Sequence, residues 1–307
     1  MSKETNFILF HKGNNLPQHI KVCVDQIKKT QTNYKIFLLT DLKITSSGDV
    51  NIIDINQYSI PLNEVTYYKG HQDPLWRAAF ERLFYINEFI NHRNLTNIVH
   101  FDNDVLIYKN IADISNLLND CVPNIGLTPH KENELVCGFM FIKNSNSLEV
   151  VCKELLNLAV LGENKLEDVN ISLTATDPYR VSITSTTSIF EKMLQSMPHE
   201  MRLLGHLQNN VLEKDIITSL PVSPIEPGNN LFTIFNGVFD PSSYGQFFGL
   251  DNTIHPDGAN RFIDRYINKK FIPVFDRYEP YIVWNKKQVP IFNLHIHNKH
   301  LERYASR

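Results

Sequence analysis

Short apolar runs separated by stretches of helical periodicity constrain the fold of this chain more than any other feature. Phe7-Ile8-Leu9-Phe10 reads as a buried strand, closed by the loop residues His11-Lys12-Gly13. Ile20, Cys23, Val24 and Ile27 then recur at helical spacing within residues 15–29. Two more strands are expected at residues 34–39, ending in Thr40-Asp41, and at 50–55. Strand, helix, strand alternation predicts an α/β fold, a mostly parallel central sheet flanked by helices. With 42% hydrophobic residues in 307, the chain has enough apolar surface for a sizeable core.

The same pattern continues. Asp73-Pro74 is a good helix start, and Trp76, Ala79, Phe80, Leu83, Asn87 and Ile90 follow as one stripe. A strand over 97–101 is broken by Asp102-Asn103-Asp104 and resumes over 105–108. Further strands are expected at 125–128 and 138–142, and a helix at 148–161 with Gly162 as its stop. Residues 163–188 are polar with weak periodicity and receive no assignment. Helices are expected at 189–197 and 258–268, and a last strand at 288–297. Most of the late Pro and Gly fall in 221–260, so the C-terminal third reads as loop-rich. With no repeat or long linker, 1–307 reads as one domain.

The formal charge of -3 gives no footprint of a nucleic-acid binder. No apolar stretch approaches a membrane span, and the N-terminal run is short for a signal peptide. Cys23, Cys121, Cys137 and Cys152 form no C-x-x-C pair, and each sits among apolar residues. Four reduced core thiols in a reducing compartment are expected, hence a cytoplasmic location.

Asp102 and Asp104 are the one pair of aspartates spaced two apart. They follow a buried-type strand, and open parallel sheets bind ligands beyond the carboxyl ends of their strands. Two carboxylates there are costly without a compensating cation, and oxygen donors suit Mg²⁺ or Mn²⁺. A cation so held would bridge to a diphosphate. The competing reading is an acidic turn, since Asp and Asn also favour loops.

Near the other end, Leu294-His295-Ile296-His297-Asn298-Lys299 would place His295 and His297 on one face of a strand. Neutral imidazole is a common metal ligand, and Lys299 would reach a phosphate. An exposed edge strand accounts for the same pattern equally well.

Taken in order, these segments resemble glycosyltransferases of the GT-A fold, which use a D-x-D metal motif. FILFHKG resembles the strand and loop that bind the donor base. The segment from Trp76 to Phe84 resembles the Arg-bearing helix ahead of the motif. NIVHFDNDVLIYKNI resembles the motif itself, LHIHNK the late His and Lys, and CGFMFIKN the strand that shapes the acceptor side. The resemblance spans residues 6 to about 300 and is nearest to enzymes of bacterial surface-polysaccharide loci and large DNA viruses. It implies a donor-binding half over about 1–125 and an acceptor-side half over about 126–307. It also implies a UDP-, GDP- or dTDP-sugar donor, a glycan acceptor, and hexosyl or deoxyhexosyl transfer.

By the same resemblance Phe10, His11, Lys12, Thr40, Asp41, Arg82, Asn103 and Lys299 would contact the donor. Asp102, Asp104, His297 and His295 would serve the metal. The His–Lys spacing is shorter than in glycogenin-like enzymes, which leaves open which histidine is the ligand.

An inverting transferase needs a general base. Glu200, at the start of a helical run, and Asp240, in Phe239-Asp240-Pro241 ahead of a Gly-bracketed aromatic loop, are the candidates. Helix capping and an Asp-Pro turn explain them equally well. Inverting chemistry through Glu200 is the preferred expectation. The alternatives are a non-catalytic glycan- or nucleotide-sugar-binding module and another metal-dependent nucleotide-using transferase. HKGNN is too sparse for the Gly-rich loop that the latter would carry.

Overall fold

The computed structural model describes residues 4–45, 48–64, 74–131, 134–160, 200–225, 230–248, 271–276 and 279–306. In chain order the first strands are β1 (Thr5–His11), β2 (Tyr34–Thr40), β3 (Val50–Asp54), β4 (Thr96–His100) and β5 (Val105–Ile107). They are followed by β6 (Ile125–Lys131), β7 (Glu134–Asn144) and β8 (Ile217–Ser219). Among the described residues, seven of them form a sheet in the order β3-β2-β1-β4-β7-β6-β8. β3, β2, β1 and β4 are parallel, as are β6 and β8, while β7 runs antiparallel to both neighbours. The expected α/β class with a mostly parallel sheet is what the chain adopts.

The strands alternate as a two-sided sheet requires. Phe7, Leu9, Val99 and Phe139 face one core, shared with Ile20, Cys23 and Ile27 of helix Gln18–Thr30 and with Ile111 and Leu118 of helix Ile111–Cys121. Ile8, Phe10, Ile98 and Met140 face the opposite core. That core is filled by Phe84, Phe89 and Ile90 of helix Pro74–Arg93 and by Leu148, Val151 and Leu155 of helix Ser145–Val160. Helices therefore cover both faces.

The chain lays β2 and β3 to one side of β1, then returns to place β4 on its other side. Strand order reverses between β1 and β4, and open sheets of this kind bind ligands at the carboxyl ends of the strands beside such a reversal. Asp102, Asn103 and Asp104 lie there, directly after β4.

The expected last strand is divided. β11 (Lys287–Pro290) pairs with β10 (Glu279–Trp284), which also pairs with β9 (Val274–Asp276). β12 (Asn293–His295) instead pairs antiparallel with β5. Between them Ile291 bridges to Val238. Pro290 has no N–H to continue a ladder, so a change of partner there costs little. The β10–β11 turn puts Asn285 and Lys286 at φ 48° and 64°. These are the two positive φ values of a type I′ hairpin, built here without glycine. A second correction concerns the thiols: Cys23, Cys137 and Cys152 are buried, but Cys121 at the end of its helix is half-buried. The expectations for 163–188, 189–197 and 258–268 lie outside the described residues, as do Asp73 and Gly162. Among the described residues no helix is long and apolar enough to cross a membrane.

Candidate metal centre

The Asp102–Asp104 turn is fixed from three sides. Its own backbone closes through Val105 N–H to Asp102 O at 3.0 Å. The Asn103 side chain donates to Phe10 O at the end of β1, at 2.6 Å. From helix Gln18–Thr30, the Cys23 thiol lies 3.0 Å from Asn103 O and 3.1 Å from Val105 O. The β5–β12 ladder then sets His295 opposite Val105, and Ile296 N–H donates to Asp104 O at 2.8 Å. Two segments nearly two hundred residues apart so meet at one corner of the sheet.

His295 Nε2 lies 3.0 Å from Asp104 Oδ1 and 3.6 Å from Asp102 Oδ2. One donor atom from each of Asp102, Asp104 and His295 falls within 4.8 Å of the other two. His297 stands outside this group. Its ring packs on that of His295 at 4.3 Å, 3.2 Å from Gln246 Nε2. Of the two histidines that the sequence leaves open, His295 is the one brought to the aspartates.

Cations flank the carboxylates. Arg82 pairs with Asp102 Oδ1 and, on its other side, with Glu200 Oε1 at 3.2 Å. Lys299, at φ 63°, pairs with Asp104 Oδ2. Burial works to raise the Asp104 carboxyl, but His295 and Lys299 outweigh it and hold it well below the usual range. Asp102 is likewise lowered, burial being overcome by Arg82 and His295. Burial pushes the His295 imidazole down and the two carboxylates push it up further, so the net direction is up. Both carboxylates are thus ionised at neutral pH, as cation binding requires. Two carboxylate donors and one imidazole within ligand distance of one another fit a divalent ion such as Mn²⁺ or Mg²⁺. In the same turn, Asn103 Oδ1 is buried without a hydrogen-bond partner.

The two candidate bases differ sharply. Asp240 is fully buried, and its carboxylate accepts three backbone N–H bonds, from Tyr244 at 2.9 Å and from Gly245 and His295 at 2.8 Å. Glu200 opens helix Glu200–His206, is 3% exposed, and keeps Oε2 without a partner. Burial and the Asp102 charge raise its carboxyl, and Arg82 offsets them in part.

The remaining candidates sit at the ends of β1 and β2. Phe10 is buried and stacks with Tyr85 at 5.9 Å. Lys12 pairs at 2.5 Å with the buried Glu81, which also takes Arg77 at 3.3 Å. His11 bonds Asn15 O at 2.8 Å, Asp41 accepts from Gly13 N–H at 3.0 Å, and the Thr40 hydroxyl accepts from Leu42 N–H at 3.2 Å. These residues form two neighbouring segments, at and after the ends of β1 and β2, joined by the Gly13–Asp41 bond.

Sequence reasoning did not single out Glu81, Ser242 or Gln246. Glu81, four residues after Arg77 on a helix, was visible as a charge pair. Ser242 and Gln246 lie in the Gly-bracketed loop after Asp240, but nothing local pairs them with His295 and His297, which are more than fifty residues away.

No family model matches the chain, and no curated protein matches it. Among solved structures it is similar to mouse xyloside xylosyltransferase 1 in its apo form, at 9% identity and TM-score 0.41, over 71% of this chain and 86% of that one. It is also similar to the glycosyltransferase GlyE of Streptococcus pneumoniae TIGR4, at 13% identity and TM-score 0.38, over 85% of this chain. The chain spans about half of GlyE, 52%. Both neighbours are glycosyltransferases by name. At TM-scores below 0.5 they carry no argument, and the α/β class stands on the sheet order and the alternating cores.

Proposed function

We propose that this chain is a metal-dependent glycosyltransferase of GT-A type, one domain that moves a sugar from a nucleoside-diphosphate sugar to a hydroxyl acceptor. The observation that carries the reading is the convergence of Asp102, Asp104 and His295 within 4.8 Å at the β1–β4 switch point. Asp102, Asp104 and His295 would hold a Mn²⁺ or Mg²⁺ ion, which supplies positive charge to a diphosphate leaving group when bound. Lys299 and Arg82 already pair with these carboxylates. With a cation bound there, both side chains would be free to pair with phosphate oxygens instead. Asn103 presents its unused Oδ1 to a donor hydroxyl. The segments at the ends of β1 and β2, with Phe10, His11, Lys12, Thr40 and Asp41, would take the nucleoside.

For the acceptor proton, Glu200 is the better of the two carboxylates. Both Asp240 oxygens are taken by backbone N–H groups, whereas Glu200 Oε2 has no partner. An inverting course would run through Glu200 as base, with Asp240 left to hold its loop. Product configuration by NMR decides this. Retention would assign Glu200 to orienting Arg82 instead. A bacterial or viral polysaccharide is the acceptor class that the sequence resemblance suggests.

The primary test is a thermal-shift series of UDP, GDP and dTDP with and without Mn²⁺, followed by donor hydrolysis and transfer assays. A nucleotide that raises the melting temperature in the presence of Mn²⁺ alone supports the reading. Binding unaffected by EDTA would overturn the metal assignment, and binding without hydrolysis or transfer would leave a nucleotide-sugar-binding module.

A further inference from the structure

We propose that Ser242 is a positioning residue for His295. Its hydroxyl accepts a hydrogen bond from the imidazole Nδ1–H and so leaves Nε2 to offer its lone pair to a cation held between the ring and Asp102 and Asp104. The inference rests on the reading of Asp102, Asp104 and His295 as metal ligands.

A neutral imidazole carries one proton on one of two nitrogens, and the partner of the non-ligating nitrogen selects which. Here Nε2 is the nitrogen that faces the aspartates, 3.0 Å from Asp104 Oδ1. Nδ1 points the other way and lies 2.6 Å from Ser242 Oγ. A cation at Nε2 needs the lone pair there, so the proton must sit on Nδ1, where the hydroxyl accepts it. On that side the ring also meets Gly138, so closely that a Cβ at position 138 would lie 2.9 Å from Nδ1. Ser242 is 3% exposed, so the bond is sheltered from competing solvent.

The backbone supplies a second, independent observation. Ser242 has φ 69°, in the left-handed region where glycine is favoured and an L side chain is strained. The turn would form more readily with glycine, yet a hydroxyl stands there and its bond is to His295. The surrounding frame holds both residues together. Asp240, two residues earlier, accepts the His295 backbone N–H at 2.8 Å, and Asn293 Oδ1 accepts the Asp240 N–H at 3.1 Å. Loop and strand are therefore tied together by these bonds, and the Ser242 hydroxyl is aimed at the ring by that frame.

Glycine at position 242 separates positioning from folding, because it removes the hydroxyl and relieves the backbone at once. The experiment uses the full chain, as wild type, Ser242→Gly and Ser242→Ala. Mn²⁺ affinity is read from the free-ion EPR signal, and melting is recorded without metal. Both variants should bind Mn²⁺ about ten- to a hundredfold more weakly, the usual loss for an outer partner of a ligating histidine. Ser242→Gly should at the same time melt at or above the wild-type temperature. Mn²⁺ affinity within twofold of wild type in Ser242→Gly would overturn the proposal. Joint loss of affinity and melting temperature in both variants would also overturn it, because the hydroxyl would then be a fold contact. A wild-type protein that takes up no Mn²⁺ fails differently. It removes the ligand assignment itself, and this inference with it.

Discussion

The carboxylate of Asp240 accepts the backbone N–H of His295 at 2.8 Å, and with the same oxygen that of Gly245, also at 2.8 Å. An acidic side chain thereby holds the strand that delivers the imidazole to the aspartates. Hydrogen bonds to a charged group contribute about 1.5–3 kcal/mol each. Asp240→Asn turns one acceptor into a donor facing backbone N–H groups. It should cost about 2–4 kcal/mol in urea unfolding and weaken Mn²⁺ binding in parallel. Unchanged stability with abolished turnover would instead make Asp240 the base.

Gly245 abuts the same strand. A Cβ at this position would lie 2.2 Å from His295 O, which is backbone and cannot swing aside. Gly245→Ala should destabilise the protein by about 1–3 kcal/mol, as overpacking does, and lower Mn²⁺ affinity. Equilibrium unfolding with EPR titration checks both, and wild-type behaviour would mean that the helix–strand contact is looser than it stands.

Metal dependence is tested at Asp104, the carboxylate nearest His295. Asp104→Asn and excess EDTA should each remove the Mn²⁺-dependent stabilisation by a nucleoside diphosphate. That stabilisation is about 2.7 kcal/mol at a hundredfold excess over Kd. Full nucleotide binding in EDTA would return the D-x-D turn to an acidic loop.

Glu200 is tested by Glu200→Gln, which keeps its shape and removes its charge. As a general base its loss should lower kcat by roughly a hundred- to ten-thousandfold. Nucleoside-diphosphate affinity should be kept, because Glu200 touches Arg82 and not the ligand group. If affinity falls as much as turnover, Glu200 serves to hold Arg82.

The thiols offer a check on burial. Burial pushes the Cys137 thiol up to about 12 and raises Cys23 and Cys152 as well, so at pH 8 these three are protonated as well as enclosed. Thiolate is the reactive species. Native alkylation at pH 8 followed by mass spectrometry should therefore label the half-buried Cys121 first, and the others only after denaturation. Rapid labelling of Cys23 would show that the D-x-D turn opens, since its thiol packs against Asn103 O and Val105 O.

Much of the donor-side framework was legible in the chain itself. β1 and β2 each hold a run of four apolar residues, β4 carries Ile98-Val99 ahead of Phe101, and the helix of Phe80, Leu83 and Ile90 repeats at its own period. Both signals are local, so neighbouring residues suffice to set them. Asp102 and Asp104 were legible for the same reason, as polar residues closing a buried strand. The choice between His295 and His297 was not. Both follow the same alternation, and what separates them is the β5–β12 register, which puts His295 opposite Val105. Arg82 and Glu200 show equally little of each other in the sequence, because the ion pair that joins them spans 118 positions. The Asn285–Lys286 turn has no local signature, because it reaches positive φ without the glycine that usually marks such a turn. Strand order, register and long-range ion pairs depend on which distant surfaces bury one another, and only the folded chain settles that. The sequence by itself determined the alternating elements and the acidic turn, and the tertiary structure decided which imidazole, cation and hydroxyl would stand around it.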